Sequence, residues 1–146
     1  MANRVFHSIL VCDDKTEGMS LLIECLRDSD YQVTTVSNGL EGTLVYESLK
    51  PDLVIVNAIM PRLDGVSMIV YLKRSYPALK AILMTNSAES TRKLLFDQLD
   101  DPSAAYVMAK PVDIIEVVST AHLMLLHDRP RVRRLVRGSQ FEERLN

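Results

Sequence analysis

PDLVIVNAIMPRLDG (residues 51–65) decides how this chain folds. It opens on Pro51-Asp52, which stops any helix before it, and continues as an apolar run from Leu53 to Val56. An unbroken run of this kind suits a strand covered on both faces, since a half-exposed strand would alternate apolar with polar. The run delivers one polar residue, Asn57, to its end, and a Met60-Pro61 turn follows. A strand covered on both faces needs helices on either side of its sheet, so the flanking segments must supply them.

They do so at a regular beat. Upstream, FHSILVC (6–12) reads as a strand that ends in two acids, Asp13 and Asp14. TEGMSLLIECLRDSD (16–30) places Met19, Leu22, Ile23 and Leu26 at helical spacing. YQVTTV (31–36) is the next strand, closed by the turn signal Ser37-Asn38-Gly39. LEGTLVYESLK (40–50) is a weaker helix, because Gly42 and β-branched Thr43 lower its propensity. Downstream, DGVSMIVYLKRSY (64–76) puts Met68, Ile69, Leu72 and Tyr76 on one helical face. KAILMT (80–85) is a fourth strand and AESTRKLLFDQLDD (88–101) a fourth helix, with Ser87 as its expected N-cap. AAYVMA (104–109) is the fifth strand, followed by Lys110-Pro111. VDIIEVVSTAHLMLLHD (112–128) is the last helix, with Ile114, Val117, Val118, Ala121 and Leu125 facing inward.

Five strand–helix units with continuous apolar strands predict an α/β fold. The expected form is a (βα)5, doubly wound, parallel five-stranded sheet of order 2-1-3-4-5, flavodoxin-like in its winding. The working site of such a sheet lies beyond the carboxyl ends of its strands. Those ends carry Asp13 and Asp14, Asn57, Thr85 and Lys110. Oxygen ligands of this sort suit a hard ion such as Mg²⁺, and the ammonium and hydroxyl suit phosphoryl oxygens. Taken alone, Asp13-Asp14 reads equally as a helix N-cap, and Lys-Pro as a surface dipeptide.

ILVCDD, PDLVIVNAIMPRLDG, AILMTN and YVMAKPV, in that order and spacing, make residues 6–127 resemble the receiver domain of two-component response regulators. The resemblance implies that Asp13 and Asp14 bind Mg²⁺ with the backbone carbonyl of Ile59, and that Thr85 and Lys110 contact a phosphoryl group. It also implies an Asp acceptor four residues before Pro61, and that position is Asn57. An amide is a poor nucleophile, its lone pair held in resonance, so phosphotransfer from a histidine kinase should be blocked. The Mg²⁺ site should weaken with one anionic ligand made neutral. Relief of carboxylate repulsion should steady the inactive form.

Two explanations of Asn57 compete. One is a natural pseudo-receiver that signals by binding; the other is an ordinary phosphorylatable receiver carrying an engineered Asp→Asn change. Asn86 stands where the family keeps Ala or Gly, which narrows access to the pocket. The family's aromatic switch position, three before the Lys, is Val107 here, and Tyr106 lies one residue earlier. Strand faces alternate, so that offset turns the ring to the other face. A phosphoryl-transfer enzyme using Asp13 or Asp14 is a further reading, disfavoured because no separate acid/base group is evident. A flavin or nucleotide binder is disfavoured because none of the five glycines forms a phosphate-cradling loop.

Composition sets the remaining bounds. Cys12 and Cys25 lack metal-ligand spacing, and the start of the chain lacks a secretory pattern. Together these give an expectation of reduced thiols in a cytoplasmic protein. No run is long enough for a membrane span. Residues 1–128, expected as the receiver domain, hold 11 Lys and Arg against 17 Asp and Glu; residues 129–146 hold six Arg against two Glu. The second segment is expected as a basic tail or linker. It lacks a helix-turn-helix pattern, which argues against nucleic acid and favours an acidic partner. Ile115, Leu123, Met124 and Leu126 fall outside the last helix's inner stripe, a surface suited to homodimer formation.

Overall fold

The computed structural model describes residues 3–14, 16–103, 105–126 and 131–134. Its strands are β1 (Asn3–Phe6), β2 (Ser8–Cys12), β3 (Gln32–Val36), β4 (Leu53–Asn57), β5 (Ala81–Thr85), β6 (Ala105–Ala109) and β7 (Arg131–Arg134). Its helices are α1 (Thr16–Asp28), α2 (Gly39–Leu49), α3 (Gly65–Ser75), α4 (Ala88–Gln98) and α5 (Ile114–Leu125). The five central strands are parallel in the order β3-β2-β4-β5-β6, which is 2-1-3-4-5 once β1 is set aside. None of the helices among the described residues is long and apolar enough to cross a membrane.

The unbroken apolar strands are buried on both faces, as their composition requires. β2, β4 and β5 are buried at every position. Alternation along them feeds two cores. Leu10, Val54, Val56, Leu83 and Val107 join Met68, Ile69 and Leu72 of α3 on one side. Ile9, Val11, Ile55, Ile82 and Met108 join Leu22 and Leu26 of α1 and Val117 and Ala121 of α5 on the other.

Helix starts follow local chemistry. Asn38 accepts from the Glu41 N–H at 2.9 Å to cap α2, and Asp64 accepts from the Ser67 N–H at 2.8 Å to cap α3. Ser87 occupies the N-cap of α4, but its side chain makes no capping bond. Its backbone N–H donates instead to Thr85 Oγ1 at 3.1 Å. The expected cap is therefore replaced by a bond back to the preceding strand.

Two further expectations are corrected, and one segment gains a strand. The run at 6–12 is two strands, not one: His7 separates them, and its carbonyl accepts from the Gln32 N–H as the central sheet begins. Within 129–146, expected as a basic tail or linker, Arg131–Arg134 pairs antiparallel with Asn3–Phe6. Met124, expected on the outside of the last helix, is half-buried against the core below α1 and α5, whereas Ile115, Leu123 and Leu126 are exposed. The rest of the expectation for 129–146 lies outside the described residues.

Candidate functional site

Parallel register brings the strand ends to one edge. Cys12 stands opposite Val56, so Asp13 and Asn57 follow side by side. Asn57 pairs with Met84, one residue before Thr85, and Thr85 pairs with Ala109, one residue before Lys110. Backbone bonds stitch these tips together. The Asp13 N–H donates to the Val36 carbonyl at 3.1 Å, the Ala58 N–H to Met84 at 2.8 Å, and the Lys110 N–H to Thr85 at 2.7 Å. The Lys110–Pro111 peptide is cis.

The decisive side-chain contact joins two strand ends. Lys110 Nζ donates to Asn57 Oδ1 at 2.7 Å, and Asn57 is only 4% exposed. A buried amide oxygen needs such a donor, and a charged one makes the stronger bond. Gly65 allows α3 to start directly over this residue: a methyl group there would lie 2.2 Å from the Asn57 backbone oxygen. The Gly65 N–H donates to the Ala58 carbonyl at 2.8 Å, fixing the close approach.

Asp13 is buried and Asp14 exposed. Behind them Cys12 is fully buried, and burial pushes its thiol well up, with the charges of Asp13 and Glu41 adding to the effect. The acidic side chains of Asp13, just past β2, and Glu41, on α2, thus both act on this thiol. Ile59 turns outward just past β4, 74% exposed, so the loop that carries its carbonyl is open to solvent. As donors for a divalent ion, these residues offer two carboxylates, a neutral amide oxygen already engaged by Lys110, and a loop carbonyl. The chemistry of this set fits a hard cation in part only. Among the described residues, no three His, Cys, Asp or Glu side chains are grouped as a metal would need.

Thr85 is buried, and its hydroxyl accepts from Thr91 Oγ1 at 2.9 Å as well as from the Ser87 N–H. The hydroxyl is therefore engaged with the first turn of α4. Sequence reading missed Thr91, although with Leu95 it forms the buried i, i+4 stripe of that helix. Asn86 is exposed beside Thr85. Val107 is 6% exposed within the α3 and α4 core, whereas Tyr106 is 49% exposed and pairs with Ile82, which faces the α1 and α5 core. Strand alternation thus separates the ring from the face of Val107, as the one-residue offset requires. A cavity of about 500 Å³ between α4 and β6 is lined by Arg92, Leu95, Phe96, Tyr106 and Val107, among others.

The family model of the response regulator receiver domain matches residues 9–122, well over half the sequence. The chain belongs to the response regulator receiver domain family. This receiver is 33% identical over 109 residues to the alkaline phosphatase synthesis transcriptional regulatory protein PhoP of Bacillus subtilis, covering 75% of this chain and 44% of that one. It is 30% identical over 76 residues to the chemotaxis protein CheY of Listeria monocytogenes, covering 51% of this chain and 64% of that one. The receiver therefore spans less than two thirds of the length of either relative. The Francisella response regulator 1452 receiver domain shares the fold at a TM-score of 0.70 and 21% identity, over 81% of this chain and 95% of that one. A receiver of two-component signalling is what these likenesses establish.

Proposed function

We propose that this receiver takes no phosphoryl group at position 57 and signals by binding other proteins. The observation that carries the reading is the Asn57 amide, buried at the tip of β4 with its oxygen 2.7 Å from Lys110 Nζ. The atom that would attack phosphorus is replaced by an amide group without a free lone pair on nitrogen, and its oxygen is already bound by the cation. Thr85 and Lys110 are the groups that would contact a phosphoryl ligand, and Asn86 narrows the entrance. Asp13 and Asp14, with the Ile59 carbonyl, are the residues that would hold Mg²⁺, and Asn57 contributes only a neutral oxygen. The ion, when bound, supplies charge neutralisation for phosphoryl oxygens.

Partners follow from the exposed chemistry. A histidine kinase or another cytoplasmic signalling protein would dock beside the pocket. Ile115 and Leu123 on α5 and Leu126 at its C-terminal cap are exposed apolar side chains that would meet a second copy or a downstream partner, and Phe96 on α4 is another.

The test is incubation with Mg²⁺ and acetyl phosphate, read by intact mass. The chain is expected to gain no adduct of about 80 daltons, the mass of one phosphoryl group. A hydroxylamine-labile adduct overturns the proposal. Asn57→Asp is expected to gain that adduct, because Lys110 and Thr85 are retained around the restored carboxylate. That result also suits the reading of an ordinary receiver altered at one position, favoured by the otherwise complete set of strand-tip residues. The encoding genomic sequence separates the two. An inert Asn57→Asp variant would instead mark Asn86 and the displaced Tyr106 as further departures.

A further inference from the structure

We infer that the cavity between α4 and β6 is a binding site for a small aromatic carboxylate. It encloses about 500 Å³, within the range of roughly 300–1,000 Å³ that ligand pockets occupy. Its floor is apolar, formed by the buried side chains of Leu95 and Val107. Phe96 stands exposed on its α4 side. β6 is the outermost strand of the sheet, so Tyr106 borders the cavity at the sheet edge although it is rooted on the face opposite Val107. An apolar floor with aromatic flanks suits a flat ring, which gains both burial and ring–ring contact there.

Charge fixes which ring and which way round. Arg92 and Phe96 are four residues apart on α4 and share a face of the helix. Arg92 Nη2 donates to the Val107 carbonyl at 3.3 Å. That bond ties the guanidinium to β6 at the level of the cavity floor and leaves further N–H donors in its planar fork, the geometry that suits a carboxylate. Asp101 lines the other end, ahead of the first residue of β6. Hydrogen bonds from the side chain and backbone of Ser103 hold its carboxyl below the usual range, so it is anionic at neutral pH. It turns a ligand's negative group away from its own end and toward Arg92. The resulting pose has the carboxylate at Arg92 and the ring over Leu95 and Val107.

A nucleotide or other polyphosphate is disfavoured at the same place. Over residues 88–101, Glu89, Asp97, Asp100 and Asp101 outnumber Arg92 and Lys93, so one negative charge is met by one guanidinium while several would be repelled. Thr91, next to Arg92, bonds to Thr85, so an occupant would lie beside the helix turn that touches the strand tips. The site uses none of Asp13, Asp14, Asn57 or Lys110. The inference therefore goes beyond the function proposed above and does not rest on it.

The experiment titrates the full nitrogen-15-labelled chain with 2-naphthoate and follows the backbone amides by NMR. Saturable shifts centred on residues 92–96 and 105–107 are expected, complete below about 10 mM. 2-Naphthamide keeps the rings and loses the charge, and is expected to bind about tenfold more weakly. Arg92→Gln should lose a similar factor for 2-naphthoate, and Phe96→Ala about fivefold. Both side chains are exposed, and unchanged thermal unfolding of each variant reports that its fold is kept. No saturation by about 10 mM overturns the inference. So do equal binding of the amide, unaltered affinity in Arg92→Gln, or shifts centred elsewhere. Shifts of the same amides on concentrating the chain without ligand would show a second copy covering this face, and would overturn it too.

Discussion

Cys12 closes β2 with its thiol fully buried, one residue before Asp13. In the unfolded chain such a thiol ionises near pH 8.5. In the folded protein, burial first, then Asp13 and Glu41, keep it protonated far beyond that. Above about pH 8.5 the unfolded state therefore binds fewer protons than the folded one, and stability falls as pH rises. Below that value both states hold the proton and this group contributes no slope. The expected loss approaches about 1.4 kcal/mol per pH unit on the alkaline side. Urea melts of the native chain and of Cys12→Ala, taken from about pH 7 to about pH 10, should show a shallower decline in the variant. Equal slopes would mean that the thiol is not the responsible group. The same residue scale shows what sequence could reveal of the site. Asn57, Thr85 and Lys110 were legible because each terminates an apolar run. Thr91 was not, because a hydroxyl on a helix joins a strand tip only after the helix has packed.

Helix caps give a matched comparison at the scale of elements. Asp64 Oδ1 accepts from the Ser67 N–H at 2.8 Å, and Oδ2 accepts from Ser67 Oγ at 2.9 Å. Asp64→Ala should cost about 1 kcal/mol in urea denaturation, the usual value of a lost cap. Ser87 sits at the same formal position of α4 without a side-chain bond, so Ser87→Ala should stay within about 0.5 kcal/mol. A comparable loss in both would refute the distinction. Sequence placed Ser87 as a cap because composition favours serine there. Thr85 draws the local backbone N–H toward itself, and this tertiary contact overrides the local preference. β1 and β7 were illegible for a related reason. Each is four residues long, and their pairing joins segments more than a hundred residues apart, which no local pattern announces.

Among the described residues, the body is two apolar layers divided by the five-stranded sheet. Ile82 and Leu83, neighbours on β5 and both without solvent exposure, point into opposite layers. Ile82→Ala and Leu83→Ala should each cost about 2–5 kcal/mol, since each leaves a cavity in a close-packed interior. Both should lower a single unfolding transition, because one sheet supplies both cores and neither layer persists without it. Two transitions, or loss confined to one variant, would show the layers to be separable. Repeated strand–helix periodicity made this architecture legible from the residues. It could not reveal that the chain's early and late segments close on each other.

That closure sets a direction for any message. A neighbouring domain attached through β1 or β7 would hang from the pole opposite Asn57, separated by the five residues of β2, roughly 16 Å of strand. α5 starts four residues after Lys110 and ends six before β7. One helix therefore spans the length between the loop after Lys110 and the opposite end of the sheet.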